Sequence, residues 1–255
     1  IAACLHCVIP SRDEKHIRSG LPRAVGLLLH AADRADASVQ ADLTGCDDAL
    51  PMVDLGTELL QDVECEGEPG RGAADGSEVP VEIATPAGKG PFPPVLFIHA
   101  KRGYEGDERA HVRELAAQGF LVVAPDWQSG RFIERWPSAH DSETELDVEA
   151  GLDYLKSLPN ACKQPVGIVG LSRGPYYAIR LAAKRGGDIA AIVSYYGHMQ
   201  NPNAPEPDQL FRVAPEIMQI TTPMLYLIGD ADFELRRMNG GRAFYALWER
   251  GVPVE

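Results

Sequence analysis

Apolar positions along this chain gather into short unbroken runs, and stretches of helical period separate them. Val95–Ala100 (VLFIHA) is such a run, the pattern of a strand covered on both faces. Asp107–Gln118 follows with Val112, Leu115 and Ala116 on one helical face, and Gly119 stands where a helix-ending glycine belongs. Phe120–Ala124 reads as the next strand, ended by Pro125. A loop holding Trp127, Arg131, Arg135 and Trp136 leads to a helix. The box Ser142-Glu143-Thr144-Glu145 sets its start near Ser142, with Val148, Leu152 and Leu155 at i, i+4 and i+7. Val166–Val169 is a strand, and a helix runs from Pro175 to near Gly186. Ile189–Ser194 and Met224–Ile228 are two more strands. Ala243–Arg250 is the last helix, with Phe244, Leu247 and Trp248 inward and Gly251 closing it. Val252–Glu255 has the pattern of a strand beginning.

Upstream lie two β-like runs, Glu58–Glu66 and Glu78–Thr85, separated by a glycine-rich turn. Residues 1–55 show no clear period and read as an N-terminal extension or leader. The domain is therefore placed over residues 56–255. Strands alternating with helices require crossover connections, which predicts an α/β fold: a mostly parallel sheet with helices on both faces.

Composition narrows the classes. With 255 residues, 45% of them apolar, the chain can bury one sizeable core. A formal charge of −13 repels phosphate backbones, which argues against nucleic acid as a partner. No run reaches the roughly 18 apolar residues of a membrane span. The five cysteines are odd in number and widely spaced, so no disulfide framework is indicated. Cys4 and Cys7 form a C-x-x-C pair without the second pair that a zinc site needs. Residues 24–32 are a short apolar run with Arg18 and Arg23 upstream. The expected compartment is the cytoplasm, or the secreted or periplasmic side if residues 18–37 are a signal segment. Oligomeric state is not legible.

Chemistry concentrates at Gly170-Leu171-Ser172-Arg173-Gly174, a G-x-S-x-G directly after an apolar run and directly before a helix. A tight strand-to-helix turn forces the serine into a strained backbone conformation, and its neighbours at ±2 must be small. The hydroxyl is thereby pushed out over the sheet edge, and the next backbone N–H faces developing negative charge. A dinucleotide turn is excluded, since G-I-V-G-L-S-R-G is not G-x-G-x-x-G and lies late in the sheet. A serine nucleophile needs a base and an orienting acid, which follow it in the order acid, then histidine. Asp232 lies just past the strand MLYLI, with Asp230 as its rival. No histidine follows His198, so the base is expected beyond residue 255. His99 and His198 are the histidines near the catalytic edge; His99 reads as packing under the oxyanion loop.

The chain resembles the dienelactone hydrolase family of α/β-hydrolases. The resemblance rests on Gly170–Gly174, Asp232, Ser194-Tyr195-Tyr196-Gly197, the run Ala117–Asp126 and Asp147-Val148-Glu149-Ala150-Gly151, and covers about residues 57–255. It implies an α/β-hydrolase domain, C-terminally truncated, with the last strand and the catalytic-histidine loop missing. It implies a cofactor-free hydrolase of small-molecule esters or lactones, with Ser172 as nucleophile and Asp232 as acid. The oxyanion donors it implies are the backbone N–H groups of Lys101 and Arg173. Family members proper use a cysteine where this chain has Ser172, and a glutamate where it has Ala100. A general carboxylesterase is therefore expected rather than a hydrolase of dienelactone itself, and the 255 residues alone are expected to be inactive. The alternative is a non-catalytic hydrolase-fold binding module. Arg131 and Arg135 could reach an anionic substrate, although a solvent-exposed position is the expectation for both.

Overall fold

The structure is a computed structural model that describes residues 64–69, 78–205 and 207–255, with the side chains of 64–69 left undescribed. The extension over 1–55, the signal-like segment, the C-x-x-C pair and residues 70–76 of the glycine-rich turn lie outside these residues, whereas Gly67–Pro69, expected in that turn, belong to the first strand.

Among the described residues seven strands form one sheet: β1 (Glu64–Pro69), β2 (Pro80–Thr85), β3 (Pro94–Ile98), β4 (Leu121–Pro125), β5 (Val166–Leu171), β6 (Ile189–Tyr195) and β7 (Met224–Leu227). Their order is β1-β2-β4-β3-β5-β6-β7. β1 with β2 and β2 with β4 are antiparallel; every pair from β4 to β7 is parallel. The crossovers carry α1 (Gly106–Ala117), α2 (Thr144–Ser157) and α3 (Gly174–Arg185). A short α4 (Asp208–Phe211) precedes β7 and α5 (Glu234–Glu249) follows it. The mostly parallel α/β expectation holds.

The unbroken apolar runs have a two-sided cause. In β3, Val95 and Phe97 pack toward α1 with Val112 and Leu115, whereas Leu96 and Ile98 pack toward α2 and α3 with Leu152, Leu155 and Ile179. Successive side chains of a strand point to opposite faces, so a strand with helices on both sides must be apolar throughout. Among the described residues no helix is long and apolar enough to cross a membrane.

Four expectations need correction. α2 begins at Thr144 without the predicted box. Asp141 takes the donors there, its carboxylate accepting from Glu143 N–H (2.9 Å) and its carbonyl from Thr144 N–H (3.3 Å). The Glu145 carboxylate is drawn away by His140 (3.0 Å), the Tyr176 hydroxyl (2.9 Å) and Arg180 (2.6 Å). α5 starts nine residues earlier than the predicted Ala243. On it Leu247 is buried but Trp248 is 63% exposed. Arg131 is not a surface side chain: it forms a two-bond pair with Asp147 (2.5 and 2.8 Å) and is 11% exposed. Cys162 is disulfide-bonded, because wide spacing along a chain says nothing about distance through the fold. The predicted strand start is present: Val254 makes a parallel bridge to Met224.

Candidate active site

β5 ends at Leu171 and α3 begins at Gly174, which leaves Ser172 and Arg173 to make the turn. Ser172 has φ 54°, in the left-handed region. A non-glycine residue there is strained by roughly 1–3 kcal/mol and persists only where its surroundings hold it. Two main-chain bonds to the end of β6 do so. Ser172 N–H donates to the Tyr195 carbonyl (3.0 Å), and His198 N–H donates to the Ser172 carbonyl (2.7 Å). The flanking glycines are required by close approach. A Cβ on Gly170 would lie 2.6 Å from the Pro175 nitrogen, and one on Gly174 would overlap the Ile98 carbonyl. Pro175 sits in the first turn of α3, where its missing N–H costs nothing. The Ser172 hydroxyl has no hydrogen-bond partner among the described residues.

Past the end of β3, residues Ala100 to Gly103 form a turn closed by Gly103 N–H on the Ala100 carbonyl (3.2 Å). Neither the Lys101 nor the Arg173 backbone N–H has an acceptor among the described residues. Their side chains line a small cavity with Trp127, Tyr177 and His140. Burial holds the Arg173 guanidinium below its ordinary pKa. Burial, followed by the neighbouring Arg173 charge, does the same to Lys101.

Asp232 lies beyond β7. It accepts from Phe233 N–H (2.7 Å), and both of its oxygens accept from Arg236 (2.9 and 3.0 Å). Arg236 also donates to His198 Nε2 (3.1 Å), while His198 Nδ1 faces Gln200 Oε1 (3.0 Å). His198 and Arg236 thus chain Asp232 to the carbonyl of Ser172. Burial, then the charges of Arg236, Arg173 and Lys101, push the His198 pKa down to about 4. Asp230 is exposed. His99 is fully buried, stacked on Trp127 (centroids 4.8 Å apart, 12° between planes), with Nδ1 2.8 Å from the Ala100 carbonyl. Arg135 is 70% exposed and pairs with Glu105. The ends of β3, β5, β6 and β7 therefore bring Lys101, Ser172, Arg173, His198 and Asp232 to one edge of the sheet.

Sequence reasoning passed over Arg236 and His140. The i, i+4 spacing of Asp232 and Arg236 is a helical ion-pair signal that could have found the first. Nothing local marks His140, whose ring meets Tyr176 edge-on at 5.4 Å, 36 residues away along the chain.

The sequence profile of the dienelactone hydrolase family matches residues 79–255. A protein of Aquifex aeolicus named "Putative carboxymethylenebutenolidase" is 25% identical over 195 residues, 71% of this chain and 78% of that one. The "Uncharacterized peptidase YtmA" of Bacillus subtilis is 28% identical over 125 residues, 49% of this chain and 48% of that one. Among solved structures, a bacterial brefeldin A esterase superposes with a TM-score of 0.60 at 18% identity, covering 90% of this chain and 75% of that one, a likeness of fold. With a strained serine turn at the end of β5 and a family match across the whole parallel sheet, this chain belongs to the dienelactone hydrolase family of α/β-hydrolases.

Proposed function

We propose that the chain carries the acyl-transfer machinery of a serine hydrolase acting on small carboxylic esters or lactones. The Ser172 oxygen attacks the substrate carbonyl carbon, a C–O bond forms, and the carbonyl electrons move onto its oxygen. The N–H groups of Lys101 and Arg173 receive that oxyanion. Its collapse breaks the bond to the leaving oxygen, which takes up the proton released by the Ser172 hydroxyl, and leaves an acyl-serine that water hydrolyses. Asp232 is the acid that orients an imidazole and stabilises it once protonated. Acyl transfer by this route draws on side chains and backbone alone. The observation that carries the reading is the left-handed Ser172, beside two backbone N–H groups without acceptors among the described residues.

Turnover by these 255 residues is slow. No histidine follows His198. His198 has both ring nitrogens engaged, His99 is fully buried, and Asp232 is taken up by Arg236. Loss of one triad member costs about 10⁴–10⁶ in turnover, with roughly 10³–10⁴ over water remaining from the oxyanion donors and binding.

The same engagement of Asp232 favours a second reading, a hydrolase-fold binding module without catalysis. One assay separates the two. p-Nitrophenyl acetate hydrolysis and labelling by a fluorophosphonate probe are compared between the chain and Ser172→Ala. A weak rate and slow labelling, both lost with Ser172, are expected for the hydrolase. No labelling at Ser172 under any condition supports the binding module. Hydrolysis at ordinary enzymatic rates would refute the slow-turnover claim.

A further inference from the structure

A peptide unit is planar and trans, so its C=O and N–H point in opposite directions. The unit whose N–H belongs to Lys101 has the Ala100 carbonyl at its other end. Whatever grips that carbonyl therefore aims the N–H. Two donors grip it: Gly103 N–H (3.2 Å), which closes the turn, and the ring of His99, with Nδ1 at 2.8 Å. A carbonyl can only accept, so His99 Nδ1 carries the proton. The ring itself cannot swing. It is fully buried, stacked on Trp127, and Tyr104 lies 5.8 Å away on a tilted plane. The next carbonyl, that of Lys101, is fixed as well, by Gln128 Nε2 (3.0 Å) and Trp136 N–H (2.9 Å).

We propose that His99 is a positioning residue for catalysis: through the Ala100 carbonyl it aims the Lys101 N–H at the oxygen that becomes negative. This rests on the hydrolase reading above. It gives a role to a buried imidazole that the acyl-transfer steps leave unused. The role is a single N–H donor at a fixed place, so it is transferable to a side chain that puts a donor there. Asparagine does so, since its Nδ2 can occupy the position of His99 Nδ1. Leucine fills the space without a donor.

The test uses His99→Asn and His99→Leu in the full chain, with Ser172→Ala as the background for the Ser172-dependent rate on p-nitrophenyl acetate. His99→Leu is expected to lower kcat about tenfold or more at unchanged KM, and His99→Asn to recover most of it, whichever of the two melts higher. Removing an oxyanion donor outright costs about 10²–10³, and a misaimed one less. A kcat that follows melting temperature instead of the donor overturns the proposal, since that is how a purely structural histidine behaves. A second readout needs no turnover. Hydrogen–deuterium exchange at Gly103 N–H, the other donor on the same carbonyl, is expected to quicken in His99→Leu and to stay near wild type in His99→Asn. Wild-type exchange in His99→Leu overturns the proposal. If the parent chain has no Ser172-dependent rate, the hydrolase reading fails, and the exchange data alone decide whether His99 holds the turn.

Discussion

A guanidinium can only donate, so Arg236 on His198 Nε2 leaves that nitrogen as the acceptor and puts the ring proton on Nδ1, toward Gln200. The neutral imidazole suits this arrangement and the imidazolium does not, which is the local meaning of a pKa near 4 set by burial and then by Arg236, Arg173 and Lys101. The consequence for stability has a definite sign. In the unfolded chain the ring titrates near its ordinary 6.5, so between about 6.5 and 4 the unfolded state binds the proton that the folded state refuses. Stability from this residue is full above pH 6.5 and drains away as pH falls toward 4. NMR titration of His198 should give a midpoint near 4. Urea midpoints at pH 7 and pH 4.5 should also differ less in His198→Gln than in the parent chain, and a midpoint near 6.5 would contradict the geometry. At this scale the sequence was readable where function is local. Ser172 and its glycines lie within five residues, and Asp232 follows a strand end. It was not readable where partners come from distant strands, as with Arg236 on His198 or His140 on Tyr176.

Among the elements, the strands announced themselves and the last helix did not. Continuous apolar runs flanked by helices on both faces mark β3 through β6 to within a few residues, because burial on two sides leaves no polar positions. The first half of α5, ELRRMNGGR, has no apolar period and carries two glycines, so sequence reasoning started the helix at Ala243. The glycines have unequal reasons to be there. A Cβ at Gly240 would run into the Tyr226 ring of β7, whereas one at Gly241 meets nothing within 4 Å. Gly240 is what lets α5 lie close against the sheet; Gly241 is merely a weak helix former. Gly240→Ala should therefore cost about 1–3 kcal/mol through overpacking, despite alanine's better helix propensity. Gly241→Ala should gain about 1 kcal/mol. Urea denaturation of the two variants checks this, and the same sign for both would sink the packing argument.

Over the whole molecule, the sheet has two unlike margins. On one side β2 alone runs antiparallel to the rest, and β1, antiparallel to β2, is outermost. On the other, β7 is the last named strand, and residues 252–255 lie along its outer edge. Met224 N–H donates to the Pro253 carbonyl (3.0 Å), Tyr226 N–H to the Glu255 carbonyl (2.8 Å), and Glu255 N–H to the Met224 carbonyl (3.1 Å). Val252 is buried in the same core as Met224, Ala243 and Leu247. Four residues thus satisfy donors and an acceptor that would otherwise stand open on an apolar parallel strand, and they do so beside the segment that carries Asp232. An uncovered edge of this kind is a template for pairing with another chain. Removing residues 252–255 should lower stability by about 2 kcal/mol, since each net hydrogen bond contributes roughly 1 kcal/mol and the lost ordering entropy offsets part of it. The shortened chain should also associate at concentrations where the parent does not. Urea melts with light scattering measure both effects. Unchanged stability together with unchanged scattering would mean that residues 252–255 contribute nothing to the sheet, and that β7 tolerates a bare edge on its own.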